Sequence, residues 1–326
     1  MTYIPSLHKV QMAAEVAFGD GTAATIQLPG ITNIRVDPKV EAEQLPDLRG
    51  TTMPAHEEFI KRRWSEGVLE GYVNYQEFYH YLDAMFGLAT PVGTVRTYIG
   101  SLDWITVVEQ AITEQSHSLR YGQTGLLYMV PGVLPYELKI SGASGEPAKF
   151  SYRFFGHPAE DGATFNGALV DDVVEWAMGH HSQLYLDNLK TAMPGTTPMT
   201  DLGFRYEIVI TSNRKPVWHL GDQEYDSWRN GKWGGSFKMV LEADATLLSY
   251  IGDIIDATAT PRSYAASLRI TDTSNILDID FVGTIVTPPR LIPDSDGIVT
   301  VELDLVPTYG SNAGFESCWG AEITIP

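Results

Sequence analysis

Cysteine is nearly absent: Cys318 stands alone in 326 residues, so no intrachain disulfide can form. A lone thiol is consistent with a reducing compartment. Bases are scarce too, with 22 Lys and Arg against 41 Asp and Glu and a formal net charge of −19. The shortage runs along the whole chain, since residues 1–163 hold 19 acids and 12 bases and residues 164–326 hold 22 and 10. Such a balance argues against gripping nucleic acid by its phosphates, which takes basic surface. It suits a surface that must not adhere to DNA. No apolar run approaches the ~20 residues needed to cross a bilayer. Met1–Met12 carries one lysine and no apolar core, unlike a signal peptide. The expectation is a soluble chain, made in the cytoplasm, with no membrane partner.

Catalytic signatures are missing as well. Gly231-Lys232 is followed by Trp233 and lacks the upstream glycine of a phosphate-binding loop. Gly142-Ala143-Ser144-Gly145 lacks the second spacer of a nucleophile elbow. His56-Glu57-Glu58 has Ile60 where a zincin needs histidine. His180-His181 is the only histidine pair, and neighbours in a strand point apart, which makes a poor chelate. No catalytic residue, metal ligand or cofactor is therefore expected. Asp171, Asp172 and Glu175 beside Trp176 match either a glycosidase carboxylate pair or, as favoured here, an acidic helix face. Trp218, Trp228 and Trp233 match either a sugar platform or, as favoured, packing or a subunit contact.

What the chain does have is alternation. Ile276–Gly283 sets Leu277, Ile279 and Phe281 against Asp278 and Asp280, and Val299–Leu305 sets Val301, Leu303 and Leu305 against Glu302 and Asp304. Period two means half-buried antiparallel strands. With Tyr264–Thr271 they make a three-strand unit that occurs twice. Ser116–Tyr121, Gly125–Gly132 and Lys149–Phe155 repeat it in order, and Gly132 to Phe150 has the spacing of Gly283 to Val301. A helix at Gln76–Phe86, stopped by Gly87, and one at Ala245–Ile255 precede the two units. Further strands are expected at Val95–Ile99, Trp104–Gln110, Ser182–Asp187, Phe204–Thr211, Val217–Leu220 and Gly235–Leu241, and a short helix at Ala168–Met178.

The expected organisation is mainly β, with a short helix flanking each sheet and two tandem, similar domains. An N-terminal arm takes residues 1–27, the first β domain 28–160, a linker region 161–203, the second β domain 204–308 and a tail 309–326. Asp37–Trp64 is polar and proline-punctuated, and reads either as an extended hairpin reaching a neighbour or as a disordered loop. The acids Asp278, Asp280, Glu302 and Asp304 form a candidate acidic face, more in keeping with solvated strands than with a cation site. In the first unit Ser151 and Arg153 stand opposite Glu302 and Asp304, a complementary contrast should the repeats meet across a subunit boundary.

The run from Gly71 through Tyr81-Leu82-Asp83-Ala84-Met85-Phe86-Gly87, on to Leu126–Gly132 and Phe150-Ser151-Tyr152-Arg153-Phe154-Phe155-Gly156, resembles the tail tube (major tail) proteins of long-tailed phages. Leu277–Gly283 and Ile298–Pro307 are similar to the C-terminal half of two-domain tube proteins. The resemblance implies sandwich or barrel-like domains that join edge to edge into a ring, and rings that stack into a tube conducting DNA. Two domains per chain imply a trimeric, pseudo-sixfold ring. The implied partners are other copies of the chain, the tape measure and other tail proteins, and DNA that passes without specific binding. The implied location is the virion. The four acids would then be lumen candidates, and Lys61, Arg62 and Arg63 candidate inter-ring contacts. Open sheet edges favour closure into a ring, and heterologous stacking favours a filament. Alternatives are a carbohydrate-binding or glycan-cleaving virion protein, or another tail ring such as a terminator or distal tail protein.

Overall fold

A computed structural model of the chain describes residues 9–45, 57–99, 115–123, 125–169, 173–187, 198–199, 203–243, 247, 263–285, 289–293, 299–308 and 318–325. In chain order, β1 (Lys9–Ala14) and β2 (Ile26–Gln27) precede a long hairpin of β3 (Ile31–Leu45) and β4 (Glu57–Tyr72). The helix α1 (Phe78–Phe86) follows, then β5 (Val95–Ile99), β6 (His117–Gln123), β7 (Leu126–Ala143), β8 (Lys149–Gly156) and β9 (Glu160–Asp161). After a single 3-10 turn at Gly179–His181 come β10 (Ser182–Asp187), β11 (Gly203–Thr211), β12 (Lys215–Val217), β13 (Ser227–Arg229) and β14 (Gly234–Glu242). The last strands are β15 (Ser263–Asp272), β16 (Asn275–Ile285), β17 (Arg290–Pro293), β18 (Val299–Pro307) and β19 (Trp319–Thr324). The protein is mainly β, and every strand pairing among the described residues is antiparallel.

Eight strands bond side by side in the order β3-β4-β8-β7-β11-β14-β18-β17. Alternation explains why this sheet has one wet face. Leu69, Tyr152, Phe154, Leu138, Ile140, Ile208, Met239 and Leu303 are buried, while their neighbours Glu70, Arg153, Lys139, Glu207, Lys238 and Glu302 reach solvent. Gly67 is part of this packing. A Cβ there would lie 2.3 Å from the Phe154 ring, so the missing side chain makes room for the aromatic on the next strand.

A second layer covers the apolar face in two groups. One runs β2-β1-β6-β7-β9 and the other β10-β15-β16-β19-β5. Strand β7 serves both layers. Its first part pairs with β6 and its last part with β8 and β11. Phe237 of β14 meets Phe281 of β16 at 6.0 Å, and Phe281 meets Trp319 of β19 at 4.3 Å. The helix α1 lies inside the first half: Tyr81 packs on Phe150 at 4.7 Å and on Tyr152 at 5.2 Å. Burying each such side chain contributes roughly 1.5–3 kcal/mol, which holds a helix too short to persist alone. Gly87 stops it as expected, its N–H donating to the Asp83 carbonyl at 3.0 Å.

The pairing orders of the two halves match. β1-β6-β7-β9 corresponds to β10-β15-β16-β19, and β3-β4-β8-β7 corresponds to β11-β14-β18-β17. One hydrogen bond marks the register: the His157 N–H donates to the Pro131 carbonyl at 2.8 Å, and the Thr308 N–H to the Val282 carbonyl at 3.0 Å. These residues occupy equivalent places under the same spacing that relates Gly132 to Gly283 and Phe150 to Val301.

Several expectations are corrected. Residues 9–27 are not a free arm, because β1 lies between β2 and β6 with Val10 and Met12 buried. The C-terminal segment is not simply a tail, because β19 is an interior strand between β16 and β5. The expected linker holds β10, which pairs along β15. Ala168–Met178 is not helical where it is described. Its end is wedged between two other segments, with the Tyr75 N–H donating to the Glu175 carbonyl and the Ala148 N–H to the Ala177 carbonyl. Those bridges satisfy the backbone that a helix would have satisfied internally. Asp37–Trp64 contributes to an extended hairpin, the first of the two readings, as far as Leu45 and Glu57. The expected strand Trp104–Gln110, the residues Asp171 and Asp172, and the helix Ala245–Ile255 apart from Leu247 lie outside the described residues.

Candidate functional site

The wet face of the eight-stranded sheet is an organised polar surface. Several of its cations are engaged by acids on the same or neighbouring strands. Lys139 reaches Glu207 at 2.8 Å across the β7·β11 pair, and Arg153 of β8 reaches Glu137 of β7 at 3.4 Å. Lys238 of β14 reaches Asp304 of β18 at 3.9 Å, and Arg35 and Asp37 pair along β3 at 2.9 Å. Exposed pairs of this kind add little stability, about 0–1 kcal/mol each. They do give the face interleaved charge rather than a field of one sign. A shallow hollow sits on it between Lys149, Arg205, Lys238 and Glu302.

The four candidate acids do not share one surface, which corrects that expectation. Glu302 and Asp304 lie on the wet face, as alternation requires. Asp278 and Asp280 lie on β16 in the second layer and are only 3% and 9% exposed. Period two places them opposite the core, but β15 carries groups that cover them. Arg269 donates two N–H bonds to the Asp278 carboxylate, at 2.7 and 2.8 Å, and this keeps its guanidinium even more firmly charged than usual. Ser267 donates to Asp280 at 2.7 Å, and burial pushes the Asp280 carboxyl up to about 6.

The basic triplet is engaged within the chain. Lys61 pairs with Glu43 across the hairpin, Arg62 with Glu41 at 3.6 Å, and Arg63 with Glu224. Arg62 also lies over the Trp218 ring at 4.8 Å, and Trp218 meets Trp64 at 5.4 Å. The Arg63 N–H donates to the Gln223 carbonyl. The segment between β11 and β14 is therefore latched onto the hairpin. Trp218 and Trp228 pack against one cluster around Tyr225, and Trp233 packs elsewhere. Trp228 meets Phe18 at 4.9 Å, and Trp233 stacks on Phe86 at 5.1 Å. His180 and His181 form a 3-10 turn rather than a strand start, and no group of three metal-binding side chains converges among the described residues.

Two anchoring groups are missing from the sequence reading. Glu15 is 6% exposed and accepts from the Ser116 and Ser118 hydroxyls and from the Gly19 and Gly132 N–H groups at 2.6–3.0 Å. Arg214 is 3% exposed and donates to three backbone carbonyls and to Asn230. A single charged residue carries no pattern that separates an anchor from a solvated group.

What remains open is backbone. Among the described residues β3 pairs on one side only, with β4, and β17 on one side only, with β18. These strands are the two ends of the eight-stranded order. No helix among the described residues is long and apolar enough to cross a membrane. No family model matches the chain, and no curated protein matches it.

Proposed function

We propose that this chain is a structural subunit of a phage-type tail tube, built from two tandem copies of one β module that assemble side by side into a ring. The carrying observation is the β7·β11 junction. It fuses two four-stranded sheets of the same order and leaves β3 and β17 open at the ends. A sheet with two open, complementary ends is satisfied by other copies, and closure removes both edges of this sheet. Three chains then make a ring of six modules, and ring stacking makes a filament. The modules take residues 9–161 and 182–324, absorbing the arm, linker and tail of the simpler division. Supporting this are the matched strand orders and the matched hydrogen bonds of His157 and Thr308.

In this reading the wet face of the eight-stranded sheet lines the bore. Lys139, Arg153 and Lys238 are already paired with acids, so few cations, Arg205 among them, are left to hold phosphates as DNA passes. The bore is then mixed in charge, with the overall −19 of each chain repelling DNA over about a Debye length, ~8 Å in physiological salt. Asp278 and Asp280 take no part in the lining. The long hairpin is the element placed to reach the next ring.

Negative-stain microscopy and native mass measurement of the purified protein test the reading. Rings of three chains or stacked tubes are expected as concentration rises. A monomer that persists at high concentration across salt conditions, with and without tail-tip proteins, would sink it.

A further inference from the structure

We propose that β17 of one copy pairs antiparallel with β3 of the next in the register of the internal β7·β11 junction, setting Leu291 opposite Val36 and Arg290 opposite Asp37. This deepens the ring reading above and rests on it. The occupant of each open edge is a second copy of this chain.

The register follows from three sets of pairs. Ile140 of β7 stands opposite Phe150 of β8, and Leu291 of β17 stands opposite Val301 of β18. Phe150 and Val301 are equivalent, so Ile140 and Leu291 are too. On the other side, Val36 stands opposite Gly67 and Ile208 opposite Phe237. Gly67 and Phe237 face Phe154 and Leu305, another equivalent pair, so Val36 matches Ile208. Inside the chain Ile140 stands opposite Ile208. Between chains Leu291 therefore stands opposite Val36, and Arg290, the match of Lys139, stands opposite Asp37.

Two features of the sequence agree with this register. The positions it sets opposite one another, 290 and 37, are a base and an acid in the sequence. It also sets Pro289 opposite Pro38, two residues without an N–H, so the ladder ends on both strands at one point. Edge prolines discourage pairing in general. Here Pro289 and Pro38 fall at one end and Pro293, opposite Ile34, at the other, so they limit the length of the ladder and leave positions 35–37 and 290–292 to pair.

Paired cysteines in the full chain test it, because directly opposite residues bring their Cβ atoms to ~5 Å whereas a two-residue slip gives ~7–8 Å. The native Cys318 is buried and stays in place. Asp37→Cys with Arg290→Cys is expected, on mild oxidation, to give a covalent ladder that stops at three copies. Arg35→Cys with Arg290→Cys is expected to give at least tenfold less. Lys139→Cys with Val209→Cys, opposite each other inside the chain, reports folding through an intrachain disulfide. Rings in the microscope with the cross-linking order reversed, or with no cross-link, would overturn the register and leave the ring reading standing. The intrachain disulfide with neither rings nor cross-links would overturn both.

Discussion

Arg214 donates to the carbonyl of Met85, 129 residues before it, at 3.0 Å. The same guanidinium donates to the Ala84 carbonyl at 3.0 Å and the Pro135 carbonyl at 2.9 Å. One side chain thus caps the C-terminal end of α1 and ties it to β7 from the other half of the molecule. A cation at this end also suits the helix dipole.

Replacing Arg214 with alanine leaves these buried carbonyls unmet. The expected loss is about 3 kcal/mol, seen as a lower urea midpoint. Arg214→Lys is expected to recover only part of it, since an ammonium cannot span the three carbonyls as the planar fork does. Equal stability of Arg214→Ala and the parent would show that the capping contributes nothing.

The carboxyl of Asp280 is pushed from 3.8 up to about 6 by burial. Between those values the folded chain holds a proton that the unfolded chain releases, so stability falls as pH rises through the window. The term is worth up to about 3 kcal/mol. Asp280→Asn keeps an acceptor for Ser267 and has no charge to bury. Its advantage over the parent is expected to be largest at pH 8 and to shrink toward pH 4, as unfolding midpoints at several pH values will read. A constant difference across that range would refute the assignment.

His117 works in the opposite sense. It is 1% exposed, and burial lowers its pKa to about 4. The folded chain then binds fewer protons than the unfolded chain below the ordinary value of 6.5. Stability is complete above that value and is lost as pH falls toward 4, by up to about 3 kcal/mol. His117→Phe is expected to flatten this acid limb in a pH series of thermal melts.

Gly235 sits in the β11·β14 pair with φ +125°, and a Cβ there would lie 1.8 Å from the Val209 carbonyl oxygen. The obstacle is backbone and cannot rotate away. Gly235→Ala is expected to cost about 3 kcal/mol or more, measured by chemical denaturation. A cost below about 1 kcal/mol would mean the pair shifts freely.

The hairpin latch bears on the proposed stacking. Trp218→Ala removes the contacts to Trp64 and Arg62 that hold the hairpin against the β11–β14 connection. Faster proteolysis within the hairpin is expected, and in the tube reading shorter filaments with ring closure unchanged. Filaments of parental length from a nicked hairpin would separate the hairpin from stacking.

The mainly β character and the strands of the two three-strand runs were legible from their alternation. Leu268, Ile279 and Val301 carry the same inward parity as Leu119, Val130 and Phe150. The helix at Phe78–Phe86 was legible from its apolar spacing and the glycine that ends it. The second layer was harder to read. Asp278 and Asp280 alternate like solvent-facing residues, and only the arrival of Arg269 and Ser267 from β15 covers them. Likewise 319–324 looks like an alternating tail, and its place between β16 and β5 depends on pairing across more than 200 residues. Ala168–Met178 carries a helical spacing in Val170, Val173, Val174 and Ala177, but at its end, 175–177, long-range backbone bridges to 73–75 and 148 won. Local pattern reports which face is apolar and is silent on what comes to cover the other.

The β7 strand runs unbroken through both layers and ends against β11 in seven consecutive residue pairs. Force applied along the strands would load all seven together, as shear. Force applied across them would open the row one pair at a time, like a zip. In the tube reading, a wall made of such chains would be stiffer against stretching along its strands than against splitting between them, and mechanical failure is expected to start beside β17, the shortest strand of the eight-stranded sheet.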